Sequence, residues 1–323
     1  MSETVNKGAG GAGSVVNLDI KEGVAFITIN RPEAMNALNE AVIDQLEKRF
    51  SEAESNASVK GIVFQGAGKP FVAGADIRYF VEKIKADRIS DIEAFTRRAH
   101  MLFLRIENSG KKTIALLDGL SLGGGSELAL ACQKILATPE GSLGFPETSI
   151  GIFPGLGGML RFAKQVGTSL AKYYTFTGAA ISATDAHALG VVTVLTTPAD
   201  VPRALTAMIG GEKVEKYRSR DLPGQFSEVA KTCDPENVEK LLSGQPLSGV
   251  SPELAARTAK TVGFKGPIAL KMANEIIDLQ AALTIAEGVE LELGRLEAVF
   301  STADALEGLS STLEKRRPSF KRA

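Results

Sequence analysis

Short apolar runs alternate with amphipathic stretches between residue 15 and about residue 200 of the chain. The run Val24–Ile29 is rich in β-branched residues and stops before Pro32, which is typical of a β-strand. Asn39 can cap the helix that follows, because apolar residues recur at helical spacing over residues 42–53. Further apolar runs predict strands over residues 59–65, 113–117 and 191–195. Strands that alternate with helices are typical of an α/β domain.

Two capping-box patterns mark helix starts, Ser90-x-x-Glu93 and Ser182-x-x-Asp185. In such a pattern the serine side chain accepts a hydrogen bond from a first-turn amide, and the acidic side chain accepts one from the backbone N–H of the serine. A third helix is predicted from Ser126, after three successive glycines.

The composition divides the chain into four parts. Residues 1–14 are rich in glycine and alanine and are predicted to be a disordered tail. They contain Gly8-x-Gly10-x-x-Gly13, which formally matches a dinucleotide-binding pattern, but no strand precedes it and a cofactor role is not expected. Residues 15–200 are the predicted α/β core, 201–266 a variable insertion with clustered charges and prolines, and 267–323 a helical C-terminal region.

Charge and composition narrow the function classes. The 323 residues carry a formal net charge of −1, so neither a nucleic acid nor a membrane is an expected partner. We find no run of apolar residues long enough for a transmembrane helix, and no signal-peptide pattern. Cys132 and Cys233 are expected to be reduced thiols of a cytoplasmic protein. With two histidines and no cysteine–histidine cluster, a metal site is not expected.

The segment Gly119–Glu127 is the most informative for chemistry, because three glycines open an apolar helix pattern. A helix N-terminus carries unpaired N–H donors, and without a Cβ atom a carbonyl oxygen can approach them closely. The N–H of Gly124 is therefore a candidate oxyanion donor, and a second candidate lies in the small-residue segment Phe71–Ile77. Two such donors would stabilise an enolate, although two turns packed for structural reasons would give the same pattern.

Glu127 and Glu147 are the candidate acid–base residues. Two carboxylates near one buried water shift each other's pKa, so that one holds a proton while the other accepts one. Proton transfer to a carbon next to a carbonyl needs such a pair. Taken singly, Glu127 could be a favourable first-turn acid and Glu147 a solvated loop residue.

A competing pattern in the same segment is the nucleophile elbow Gly119-x-Ser121-x-Gly123 of a serine hydrolase. Asp185 and His187 would have to complete the triad, yet both fall in a predicted capped helix. Three cations beside the candidate substrate loop could meet phosphates or simply be solvated: Arg31, Lys69 and Arg78.

Taken together, these segments resemble the crotonase superfamily, the enoyl-CoA hydratase/isomerase family. The matching blocks occur in family order from about residue 15 to the end. They are Asn30–Pro32, Met35–Asn39, Ala73–Ile77, Leu122–Ala129, Phe145–Glu147, Gly151–Gly158, Thr177–Gly178, Ile181–Ala183 and Glu314–Phe320.

The resemblance implies a spiral of ββα units with a C-terminal helical region, and coenzyme A thioester substrates. It implies that the N–H groups of Ala75 and Gly124 hold the thioester carbonyl, that Glu147 is the main acid/base at Cα, and that Glu127 helps to activate water. It also implies a set of substrate- and CoA-binding residues, namely Ala37, Ala75, Asp76, Ile77, Arg78 and Gly124.

An enoyl-CoA hydratase is the activity that the resemblance favours, because isomerase members commonly keep only one of the two carboxylates. The expected reaction is the reversible syn addition of water to a short-chain trans-2-enoyl-CoA, with no metal or nicotinamide and coenzyme A only as part of the substrate. A homo-oligomer, trimer or hexamer, is a further family expectation. Double-bond isomerisation and thioester hydrolysis stay open, since Pro267–Lys271 is similar to 3-hydroxyisobutyryl-CoA hydrolases. A non-catalytic or RNA-binding role is the alternative from another class.

Overall fold

The computed structural model describes residues 13–211, 216–217 and 221–322. Most of the predicted tail, with Gly8 and Gly10 of the dinucleotide pattern, lies outside the described residues, and so do short pieces of the predicted insertion.

Ten strands lie in the described residues. They are β1 (Val16–Lys21), β2 (Val24–Ile29), β3 (Gly61–Gly66), β4 (Val72–Ala73), β5 (Lys112–Leu117), β6 (Ser121–Leu122), β7 (Lys134–Ala137), β8 (Ser142–Leu143), β9 (Ile181–Ser182) and β10 (Val194–Leu195). Six of them form one sheet in the order β1-β2-β3-β5-β7-β10, in which β1 and β2 are antiparallel and the other neighbours parallel. Two small sheets pair β4 with β6 and β8 with β9.

Fifteen α-helices surround these sheets in the same described residues. They are α1 (Glu40–Ser55), α2 (Ile77–Lys85), α3 (Ile89–Asn108), α4 (Gly124–Ala131), α5 (Gly158–Val166), α6 (Thr168–Thr177), α7 (Ala183–Ala188), α8 (Val201–Gly210), α9 (Gly224–Lys231), α10 (Val238–Leu242), α11 (Pro252–Val262), α12 (Pro267–Gln280), α13 (Ile285–Leu293), α14 (Leu296–Phe300) and α15 (Ala303–Leu313).

The side chains of the large sheet alternate between two hydrophobic cores, as the pleat requires. Ile62 and Phe64 of β3 face the larger core, whereas Val63 between them packs against Leu205 and Met208 of α8. Part of the predicted insertion therefore covers one face of the sheet. Where it is described, this segment contains α8 to α11, and α12 to α15 follow it.

Several local predictions are confirmed. The strand Val24–Ile29 is β2, and the Asn39 side chain accepts a hydrogen bond from the Val42 N–H at 3.0 Å. The buried face of α1 includes the apolar residues that indicated a helix. Ser182 Oγ accepts from the Asp185 N–H at 3.0 Å, so the second capping pattern also marks a helix start.

The capping box predicted at Ser90 is wrong. Helix α3 begins at Ile89, and the preceding Arg88 makes no side-chain cap bond. Asp91 in the first turn forms ion pairs with Lys83 at 2.5 Å and with Arg88 at 2.6 Å. These charges, rather than a serine, stabilise the start of the helix.

Helix α4 begins at Gly124, earlier than the predicted start at Ser126, and all of its residues are buried. Ser126 lies inside the helix, where its hydroxyl contacts the backbone of Ser121 at 2.9 Å and of Gly144 at 3.0 Å. These bonds tie the first turn of α4 to the neighbouring loops. The strand predicted over 191–195 is also shorter, because β10 covers only Val194–Leu195.

Candidate active site

The glycine run forms a sharp turn between β6 and α4. Gly123 has φ +48°, which a side chain rarely adopts, and its N–H donates to the Gly144 carbonyl at 2.9 Å. A Cβ atom at this position would lie 2.3 Å from Glu147 Oε1. A glycine is therefore required here, because it lets the Glu147 carboxyl approach the start of α4.

A second backbone segment runs beside this turn. Strand β4 pairs with β6 and leads into Gly74 and Ala75, which bridge to Leu38. In the described residues the Ala75 N–H donates to no backbone carbonyl, and the Gly124 N–H is a first-turn amide without an intrahelical acceptor. Both amides are thus available to a ligand.

One cavity of about 290 Å³ brings most of the predicted residues together. Ala75, Ile77, Gly124, Glu127 and Glu147 line it. The rest of its wall is mainly apolar and includes Phe80, Phe95, Ile150, Ile152, Phe153, Leu156, Leu296 and Phe300.

Three predicted binding residues do not line this cavity. The Ala37 carbonyl accepts from the Arg31 guanidinium at 2.7 Å. Asp76 lies 3.4 Å from Arg31 Nη2, and its carboxylate accepts from the Arg78 N–H at the start of α2. Their predicted role in binding the CoA part of a substrate stays a prediction.

Glu127 reaches the cavity from the first turn of α4. Its Oε1 accepts two backbone hydrogen bonds, from Leu156 at 2.7 Å and from Gly158 at 2.9 Å. A Cβ atom on Gly158 would lie 2.7 Å from Glu127 Cγ, so this contact also needs a glycine. The glutamate is therefore oriented by the backbone of the turn that precedes α5.

Glu147 also lines the cavity, at the start of a 3₁₀ turn over Glu147–Ile150. Its side chain is buried, and Oε2 has no hydrogen-bond partner among the described residues. A buried polar atom without a partner is uncommon and is often found where a ligand or water binds.

The two carboxyls are hard to ionise. Burial raises the pKa of Glu147 to about 8. Burial also raises the pKa of Glu127, and the negative charges of Glu147 and then Glu292 raise it further, against the two amide bonds that lower it. At neutral pH the pair therefore retains a proton, as acid–base chemistry requires.

The serine-hydrolase triad is not assembled. Ser121 Oγ is buried and has no partner among the described residues. His187 Nδ1 lies 3.0 Å from the Val192 carbonyl, and the Asp185 carboxylate accepts from Ser182 at 2.8 Å. That hypothesis is wrong.

Three buried polar residues behind the cavity escaped the sequence analysis. The Glu292 carboxylate, on α13, accepts from the Gly157 N–H at 2.7 Å. His100 lies beside it, and Arg161 donates to Glu107 at 2.9 and 3.0 Å. Nothing in the local sequence marks them, because each belongs to a helix whose pattern alone suggests packing.

Comparison with known proteins places this geometry in a family. The family model described as enoyl-CoA hydratase/isomerase matches residues 24–323. The chain belongs to the enoyl-CoA hydratase/isomerase family. It is 31% identical to a probable enoyl-CoA hydratase of Bacillus subtilis, over 95% of this chain and 99% of that protein. It is 30% identical to the mitochondrial enoyl-CoA hydratase of Pongo abelii, over 92% of this chain and 83% of that protein.

Solved structures agree with this family in architecture. An enoyl-CoA hydratase from Rhodobacter sphaeroides superposes with a TM-score of 0.82 at 25% identity, over 95% of this chain and 92% of that one. A carnitinyl-CoA dehydratase from Mycobacterium thermoresistibile, at 23% identity, gives the same TM-score over 95% and 91% of the two chains. The predicted crotonase fold, with its ββα units and helical C-terminal region, is confirmed.

Among the described residues, no helix is long and apolar enough to cross a membrane. The same residues contain no group of three or more His, Cys, Asp or Glu side chains that could hold a metal ion. Cys132 and Cys233 are both buried, free thiols.

Proposed function

We propose that the protein is an enoyl-CoA hydratase, which adds water reversibly and in syn geometry to a short-chain trans-2-enoyl-CoA. The observation that carries the proposal is the pair Glu127 and Glu147 in one apolar cavity, beside the free amides of Ala75 and Gly124. Family membership and the similarity to enoyl-CoA hydratases support the same activity.

The amides of Ala75 and Gly124 would hold the thioester oxygen. Neither amide donates to a backbone carbonyl of the described residues, and Gly124 adds the partial positive charge of a helix N-terminus. When water adds at Cβ, negative charge develops on the thioester oxygen as an enolate forms. Hydrogen-bond donors already in place stabilise that charge by a few kcal/mol each, on the order of 3.

The two glutamates would then divide the proton transfers. We assign the attacking water to Glu127, whose Oε1 is held by two amide bonds, and the proton for Cα to Glu147, whose Oε2 has no hydrogen-bond partner among the described residues. Glu127 would take a proton from the attacking water while the water oxygen bonds to Cβ. Glu147 would give its proton to Cα, which completes the 3-hydroxyacyl-CoA and leaves the pair with one proton as before.

The apolar wall would receive the acyl chain. Phe80 of α2 lies on this wall, as do Leu296 and Phe300 of α14. A cavity of about 290 Å³ favours a short chain over a long one. We further propose a cytoplasmic location and a trimeric or hexameric assembly.

The test is to incubate the purified protein with crotonyl-CoA, to follow the absorbance of the conjugated thioester and to identify the product by mass. Formation of 3-hydroxybutyryl-CoA supports hydration. Release of free CoA would indicate thioester hydrolysis instead. Conversion of a 3-enoyl-CoA to its 2-enoyl isomer, without hydration, would indicate an isomerase.

A further inference from the structure

The turn Leu156–Gly158 lies between two buried carboxylates. The N–H groups of Leu156 and Gly158 donate to Glu127 Oε1, at 2.7 and 2.9 Å. The N–H between them, from Gly157, donates the other way, to Glu292 Oε1 at 2.7 Å. Three successive amides are thus shared by the candidate catalytic glutamate and by a glutamate behind it.

Glu292 is fully buried and is itself held in place. It comes from α13, in the C-terminal helical region, and the side-chain amide of Gln280 on α12 donates to its Oε2 at 3.2 Å. His100 Nε2, from α3, lies 3.4 Å from Oε1. On the other side of the turn, Arg161 Nη1 donates to the Leu156 carbonyl at 3.3 Å.

We propose that Glu292 is a positioning residue for Glu127, which acts by fixing the orientation of the Leu156–Gly158 turn. The proposal rests on the function proposed above. Gly157 has φ +82° and two glycine neighbours at 155 and 158, so the turn has little intrinsic preference for one geometry. A carboxylate that binds the Gly157 N–H fixes the peptide plane, and this aims the amides on either side at Glu127.

The charge of Glu292 provides a second, measurable effect. It raises the pKa of Glu127 and of Glu147 across the turn, in addition to the effect of burial. The ionisable groups that interact with Glu292 are His100 from α3, Arg161 from α5, Glu127 from α4 and Glu147 from the 3₁₀ turn. A neutral residue that still accepts the Gly157 bond would therefore keep the geometry and lower both pKa values.

Two substitutions separate geometry from charge. Glu292→Ala removes the acceptor, and we expect kcat to fall on the order of 100-fold with KM for crotonyl-CoA nearly unchanged. Glu292→Gln keeps an acceptor, and we expect it to recover most of that loss while the alkaline limb of the pH–rate profile moves to lower pH. Glu290→Gln is the matched control, because Glu290 is exposed on the same helix and pairs with Arg97 at the surface.

Amide hydrogen exchange tests the same proposal without substrate. The amides of residues 156–158 should exchange faster in Glu292→Ala, and at the wild-type rate in Glu292→Gln and Glu290→Gln. If the wild type does not hydrate crotonyl-CoA, the proposed function fails, while this exchange pattern still supports the positioning role. Wild-type exchange and kcat in a folded Glu292→Ala protein would overturn it. If Glu292→Ala does not fold, Glu292→Met, which keeps a side chain of similar length but lacks the oxygen acceptor, takes its place, and wild-type exchange and kcat in that variant would overturn the proposal.

Discussion

Two buried carboxylate regions of this molecule behave in opposite ways. Burial alone would raise the pKa of Glu107, but Arg161, Lys216 and the Tyr217 hydroxyl surround it and the net shift is downward. Glu127 and Glu147 are more deeply buried, form no ion pair among the described residues, and have raised pKa values. The fold surrounds the Glu107 carboxylate with cations and leaves the two carboxyls of the proposed active site without a counter-charge among the described residues.

The largest effect should follow removal of the ionisable group at Glu147. Glu147→Gln keeps the shape of the side chain but holds no transferable proton, so kcat with crotonyl-CoA should fall on the order of 10²- to 10⁴-fold. Binding of the thioester, measured by calorimetry, should persist. Glu140→Gln changes an exposed glutamate on a nearby loop and should leave kcat unchanged. Turnover at the wild-type rate in Glu147→Gln would rule out the assigned role.

The same substitution at Glu107 should affect stability instead of chemistry. Glu107→Gln leaves the buried Arg161 guanidinium without its counter-charge, so the free energy of unfolding should fall by about 3–5 kcal/mol. Denaturant titration measures this change. Glu54→Gln removes one partner of the exposed Arg105–Glu54 pair and should change stability by less than about 1 kcal/mol. Equal effects of the two substitutions would contradict the contrast drawn here.

The pH dependence of stability should differ in sign between the regions. Glu147 has its pKa raised from 4.5 to about 8, so between these values the folded protein holds a proton that the unfolded chain has released. The free energy of unfolding therefore falls as pH rises through this range. Glu147→Gln does not show this fall, because glutamine does not ionise. The Tm difference, variant minus wild type, should grow from about pH 5 to about pH 8.

Glu107 should give the reverse trend. Its pKa is lowered, so its stabilising contribution is present above about pH 4.5 and is lost as the pH falls through the folded-state value. The Tm deficit of Glu107→Gln should therefore shrink in acid. Parallel pH trends for the two variants would show that the ionisation states are assigned wrongly.

The sequence predicts some of the buried carboxylates of this molecule and misses others. Glu127 and Glu147 sit in short local motifs whose chemistry can be inferred from glycines and neighbouring apolar residues, and the cavity does unite them. Glu292 could not be found in this way, because 135 residues separate it from its partner Gly157. Ser90 shows the opposite failure, since a local capping pattern was overridden by ion pairs to Asp91. Local chemistry is readable from the chain, whereas contacts made by tertiary packing are not.

The smallest effect concerns the apolar wall of the cavity, which contributes to the burial that raises the pKa of the two glutamates. If the wall also binds the acyl chain, each added methylene buries apolar surface worth about 0.8 kcal/mol, or roughly fourfold in kcat/KM, until the cavity is full. A series of 2-enoyl-CoA thioesters of increasing length measures this increment. Phe300→Ala should move the preferred acyl length upward. Because it admits water to the cavity and so lowers the pKa of the carboxyls, it should also move the alkaline limb of the pH–rate profile to lower pH. A change in chain-length preference without that pH shift would show that Phe300 binds the acyl chain but does not raise the pKa of the glutamates. Their raised pKa would then come from other parts of the cavity.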